Sequence, residues 1–268
     1  MRTAGAVLVV AAAVTVAGCG GASHARRDAV NQYFDRVQVA QAPLRVEAAP
    51  IEQAFGRFST VRNSKSELRA LVHAQAVLER VHAKVQRIQP PADARRVHAD
   101  IVHLYELQAG VAGELIAMAR FVPRYDSALA PLKPAHVQLA SDLKAAKGWK
   151  KIAHAFERYR LSIAAVLAEI DHLSAPPTMR PAFNAERDVL GRSVGLCASI
   201  ETALAKHSAK KTSAGIRALT GLGTEKAVVR AQRNQIAAAK AYNARLARIS
   251  SLTAKIADER NKLVGEVG

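Results

Sequence analysis

The chain is poor in cysteine, in aromatic side chains and in acid. Of its 268 residues only Cys19 and Cys197 are cysteines, which excludes the disulfide framework that staples many small extracellular domains. Aromatic residues make up 4% of the chain, with a single tryptophan, so a core has to be built from aliphatic side chains. Asp and Glu number 22 against 39 Lys and Arg, a formal net charge of +17. Apart from one stretch at the N-terminus, no apolar run approaches the roughly 20 residues that a membrane-spanning helix needs. Catalytic signatures are equally scarce. Gly221-Leu222-Gly223 follows no strand pattern and lacks the third glycine of a dinucleotide loop. Ser208-Ala209-Lys210-Lys211 has a Ser-x-x-Lys spacing but stands without the partner motifs of the penicillin-binding enzymes. His-Glu-x-x-His does not occur. The chain therefore reads as a non-enzyme that uses no cofactor.

What is present begins at the N-terminus. Met1-Arg2-Thr3 precedes an uncharged stretch from Ala4 to Val16, and the sequence then reads Val16-Ala17-Gly18-Cys19. A short cationic start, an apolar run and small residues before a cut form the layout of a secretory signal. At about 1.5 Å per residue the run spans roughly 20 Å, too short for a hydrocarbon core of about 30 Å. The ending Val16-Ala17-Gly18-Cys19 resembles the lipobox of bacterial lipoproteins. That resemblance covers the first 19 residues. It implies cleavage between Gly18 and Cys19, a diacylglycerol on the Cys19 thiol and a new amino terminus that is itself often acylated. Residues 1–18 are then a lipoprotein signal peptide. Residues 19–27, which include Gly20-Gly21-Ala22-Ser23-His24-Ala25, form a flexible tether. The expected location is extracytoplasmic: the outer face of the cell membrane, or the periplasmic or outer membrane of a two-membrane organism.

Export changes the reading of the charge. Loss of Arg2 lowers the net charge from +17 to +16, because residues 1–18 contain no acid. A cytoplasmic chain this basic suggests nucleic acid, but an exported one never meets it. Three partners remain: anionic lipid, an anionic cell-wall polymer, or an envelope protein, each approached from a lipid-held position at the membrane. The Ala-, Arg- and Val-rich composition is equally what a high-GC genome produces. Cys197 stands in the apolar run Val194-Gly195-Leu196-Cys197-Ala198-Ser199-Ile200 and reads as a buried, inert thiol.

The body, residues 28–268, is read as a single all-α domain. Apolar residues recur at alternating steps of three and four: Leu71, Ala74, Leu78, Val81, Val85 and Ile88; then Val97, Ile101, Leu104, Val111 and Leu115; then Ile152, Phe156, Tyr159, Ile163, Val166 and Ile170. Such spacing places each set on one helical face. A Ser-x-x-Glu capping box, Ser64 to Glu67, precedes the first set. Pro90-Pro91 and Pro176-Pro177 stop helices, because proline lacks the donor and disfavours helical geometry in the residue before it. Six helices are expected, over about 26–60, 65–89, 92–121, 134–174, 178–207 and 224–265. The first should be kinked or broken at Pro43 and Pro50, and Gly148 is the candidate bend of the fourth. Pro123 to Pro134 is expected as a loop and 207–223 as a polar linker before a long C-terminal helix. The two Pro-Pro corners, 86 residues apart, suggest two antiparallel hairpins of a helical bundle. In its lipobox, composition and Pro-Pro punctuation the chain is similar to the all-helical lipoproteins of actinobacteria, a likeness that implies no activity.

Two constellations of charged residues stand out. Glu79 with His82, and Asp100 with His103, have the acid-x-x-His spacing that puts two metal ligands on one helical face. They lie off or at the margin of the apolar stripes, which equally suits solvated charged faces, so a metal- or small-ligand-binding bundle is the alternative to a surface-binding module. From Lys206 to Gly268 thirteen Lys and Arg face four acids. Arg230, Arg233, Arg245 and Arg248 are the expected contacts of that helix with an anionic surface.

The anchor is testable on its own. Intact-mass analysis of the membrane-extracted protein should show loss of residues 1–18 and addition of a diacylglycerol, and Cys19→Ser should leave an uncut, lipid-free precursor. Normal processing of that variant contradicts the lipobox.

Overall fold

The computed structural model describes residues 21–58, 65–222 and 225–266. The lipobox, Cys19 included, and the capping residue Ser64 lie outside them. The described chain is all α-helical: α1 (Gly21–Phe58), α2 (Lys65–Gln86), a single 3-10 turn (Ala92–Ala94), α3 (Arg95–Leu129), α4 (Leu132–Ala145), α5 (Trp149–Asp171), α6 (Arg180–Ala205), α7 (Ala209–Leu222) and α8 (Glu225–Glu266). Both Pro-Pro corners interrupt the chain where expected, between α2 and α3 and between α5 and α6. No described helix is long and apolar enough to cross a membrane.

By its contacts the chain gathers into two compact units. Unit 1 takes the residues up to Ala117 and those from Tyr242 on; unit 2 takes Met118–Ala241. Unit 1 is centred on Val30, Tyr33 and Val37 of α1, Val77, Val81 and Val85 of α2, and Val97 and Ile101 of α3. A second cluster in the same unit joins Leu104, Val111 and Leu115 to Ile249, with Tyr242 and Leu246 beside them. Unit 2 is held by Phe156, Tyr159, Ile163, Val166 and Ile170 of α5 against Phe183, Leu190, Cys197, Ile200 and Leu204 of α6. These are the stripes that the three-and-four spacing marks out, and burying each large aliphatic side chain contributes about 1.5–3 kcal/mol.

Several local expectations are corrected. The tether, expected to be flexible through residue 27, is helical from Gly21, because Ala22, Ala25, Arg26 and Arg27 are good helix formers and Arg26 is pinned to Asp93 by a bidentate pair of 2.6 and 2.7 Å. α1 continues through Pro43 and Pro50. The expected 123–134 loop shrinks to Ala130-Pro131. α3 passes through Pro123 because Phe121 stacks on Tyr125 at 5.2 Å and both rings pack on Phe183 of α6. The expected 207–223 linker is largely α7, which seats Thr212 and Leu219 on unit 2. The expected helix 134–174 divides at Gly148, whose φ of 87° ends one helical path and starts another.

Gly215 lets α7 approach α6 closely: a β-carbon there would lie 2.6 Å from Cγ1 of Ile200. Gly→Ala inside a helix normally stabilises by about 0.5–1 kcal/mol. At Gly195 of α6, where nothing lies within 4 Å of the new methyl, Gly195→Ala should raise Tm. Gly215→Ala should instead lower stability by roughly 1–3 kcal/mol through overpacking. Thermal unfolding followed by circular dichroism checks the opposite signs.

Candidate functional site

Acid is the limiting group in this chain, and the two units spend it on internal pairs. In unit 1, Arg96 meets Glu259 at 3.2 Å, Lys255 meets Asp100 at 2.6 Å, and Arg245 meets Glu114. As the numbers rise along α3 they fall along α8, so the two helices run antiparallel. Glu114 is the extreme case: its side chain is 6% exposed, and Oε1 has no hydrogen-bond partner, so its charge leans on Arg245 through the other oxygen. In unit 2, Arg158 pairs with Asp142 at 2.6 Å, Arg160 with Glu201 at 2.8 Å, and His154 lies 3.1 Å from Glu157.

These pairs sort the candidate surface cations. Arg245 is half-buried against Glu114 and lies 5.9 Å from the centre of the Tyr242 ring, so it belongs to the packing of α8. Arg233 and Arg248 face solvent. The Arg230 side chain lies outside the described set. The metal candidates are likewise engaged locally: Glu79 accepts from Gln75 Nε2 at 2.9 Å, Asp100 is held by Lys255, and His103 lies 3.2 Å from Glu106. His82 is half-exposed on the margin of α2. Among the described residues no three His, Cys, Asp or Glu side chains gather to hold a metal ion.

In each core a further polar group is held toward its neutral form by burial. Tyr33 is wholly buried and its hydroxyl is hydrogen-bonded to Nδ1 of His98 at 3.2 Å; burial raises the phenol and lowers the imidazole. Burial pushes the Cys197 thiol up to about 11, with Glu201 adding to it, so it remains protonated at neutral pH. Gly191-Arg192-Ser193-Val194-Gly195 has the Gly-x-Ser-x-Gly spacing of a nucleophile elbow, a signature that reading the chain as free of enzyme motifs overlooks. It lies inside α6, where Ser193 is buried and donates to the Val189 carbonyl at 2.8 Å. An elbow needs a strand-to-helix turn that presents Oγ to solvent.

What the fold assembles instead is a basic end of unit 2. The C-terminus of α4, the N-terminus of α5, the end of α6 and the start of α7 bring Lys144, Lys147, Lys150, Lys151, Lys206, Lys210 and Lys211 to that end, all exposed. The turn from α6 to α7 is a Schellman motif: Ser208 N–H donates to the Ala203 carbonyl at 2.9 Å and His207 N–H to that of Leu204 at 3.0 Å. His207 occupies, at φ 51°, the left-handed position that favours glycine, and its ring meets the edge of Trp149 at 5.7 Å. That contact ties the α6–α7 turn to the first residue of α5. Residues 143–156 and 202–222 contain no acid. The flanking carboxylates Asp142, Glu157 and Glu201 are engaged with Arg158, His154 and Arg160. Among the described residues, none of the seven lysines has an ion-pair partner.

No family model, curated protein or solved structure matches the chain.

Replacing Arg245 by Met removes the group on which a desolvated carboxylate depends. It should cost about 1–3 kcal/mol of stability, while Arg248→Met, on the exposed face, should change stability by less than about 0.5 kcal/mol. Urea denaturation of the two variants measures the difference.

Proposed function

We propose that the chain is a lipid-anchored, non-enzymatic helical module of the cell envelope that holds an anionic surface or envelope partner by charge. The Val16-Ala17-Gly18-Cys19 motif supports the anchor. The observation that supports the binding role is the distribution of compensation among the described residues: acids lying between helices are paired, while Lys150, Lys151, Lys210, Lys211, Arg233 and Arg248 face solvent with no ion-pair partner among those residues. A domain serving only as packed scaffold gains nothing from such an excess, which destabilises the compact state through self-repulsion. A tether amplifies weak surface attraction, because the lipid already confines the domain near the membrane. Two or three acyl chains hold far more firmly than one, at roughly 0.8 kcal/mol per buried methylene.

The mature chain from Gly20, purified without lipid, should therefore float with vesicles containing anionic phospholipid and not with neutral ones, and retention should fall as salt shortens the screening length. Failure to bind anionic vesicles, isolated cell wall or any envelope protein sinks the reading. Stoichiometric metal in the purified protein, lost on substitution of His82 and His103, would favour a metal-binding bundle in its place.

A further inference from the structure

Trp149 is the only tryptophan in the chain, and it is 37% exposed rather than packed in the core. It opens α5 between Lys147 and Lys150-Lys151, and its ring stands edge-on to His207, which Lys206 precedes and Lys210-Lys211 follow. A lone tryptophan among lysines, at the end of a bundle and beside a helix cap held in a left-handed conformation, has the composition of a membrane-interface contact. The indole favours the headgroup level, with its apolar rings toward the acyl chains and its N–H toward water. Lysines around it reach outward to headgroup phosphates, and their stems lie along the apolar boundary.

We infer that this end of unit 2, with Trp149 at its centre and Lys150, Lys151, Lys210 and Lys211 around it, docks on a bilayer containing anionic phospholipid. The inference rests on the envelope-surface function proposed for the chain and narrows it to one face and one occupant. Charge complementarity chooses the occupant. The seven lysines have no protein counter-charges among the described residues, and a phosphate-bearing surface offers a two-dimensional array of them. A soluble polyanion satisfies the lysines but gives an exposed indole no apolar layer to enter, and a protein partner would be expected to meet a larger apolar patch than one ring. Docking is a second, reversible contact beside the lipid on Cys19. Nothing is inserted beyond the indole, in keeping with the absence of a membrane-crossing helix among the described residues.

The single tryptophan makes the test direct. The full mature chain, carrying its own lipid, is reconstituted into vesicles of phosphatidylcholine alone or with phosphatidylglycerol. Trp149 emission is then read with and without lipids brominated on their acyl chains. The expected result is a blue shift and bromine quenching in the anionic vesicles only. Lys150→Gln, Lys151→Gln, Lys210→Gln and Lys211→Gln combined should abolish both signals with the helical circular dichroism unchanged. In the unlipidated chain the same four changes should lower the anionic-vesicle partition coefficient roughly tenfold or more. Substituting Arg233 and Arg248 with Gln should leave quenching intact, which separates a specific face from general charge.

If the unlipidated chain binds anionic vesicles in a salt-sensitive way while Trp149 stays unquenched, another face makes the contact: the inference fails and the broader reading stands. If polyphosphate shifts Trp149 emission and vesicles do not, the occupant is a polymer and the inference again fails. If anionic vesicles, cell wall and envelope proteins all go unbound, both readings fall together.

Discussion

Glu114 lies almost wholly out of water and leans on a single guanidinium, that of Arg245. Desolvating a carboxylate costs several kcal/mol unless an opposite charge meets it, so the pair fixes where α8 meets α3 more firmly than an aliphatic contact alone. The same logic extends along the helix through Lys255 and Asp100 to Arg96 and Glu259, and within unit 2 through the Arg160–Glu201 pair between α5 and α6. With 22 acids for 39 Lys and Arg, each carboxylate spent between helices is one fewer to offset the surface. The positive exterior is thus partly a consequence of how the interior is joined.

Helical periodicity is fully legible in the order of residues, because an aliphatic stripe at steps of three and four has one physical use in a chain without strand patterns. The Leu71–Val85 and Phe156–Ile170 sets are buried as their spacing requires. Proline is the weaker guide. Two adjacent prolines stop a helix in any surroundings, but a single one removes one hydrogen bond, a deficit that tertiary packing offsets. Pro123 sits between Phe121 and Tyr125, both held by Phe183 from another helix, and no local rule sees that partner. The 207–223 stretch misleads for a related reason. Its helix stop is a Schellman turn with histidine where glycine is the usual marker, and Gly215, which reads as a loop signal, serves close helix approach.

The basic end is half visible in the sequence. Lys206, Lys210 and Lys211 belong to the C-terminal charge excess, but Lys147, Lys150 and Lys151 stand far earlier in the chain and join them through the α5–α6 hairpin. The local hint is the single tryptophan of the chain flanked by lysines. Conversely, Arg245 looks from sequence like its neighbour Arg248 one turn on. Only the position of Glu114, on a distant helix, separates a structural cation from a free one.

The close seat of α7 at Gly215 has a consequence for how the lysines act together. Because Gly215 adds no side chain of its own and α7 rests directly on the Ile200 side chain, Lys210 and Lys211 are carried on a helix seated close to α6. Their anchor points therefore stand at a fixed spacing from those of Lys150 and Lys151 before any ligand arrives. Ordering of the scaffold is complete on folding, so an encounter has to immobilise only the side-chain stems, which lowers the entropic cost of a multipoint contact. The missing β-carbon between two helices thus acts as a ruler for charge.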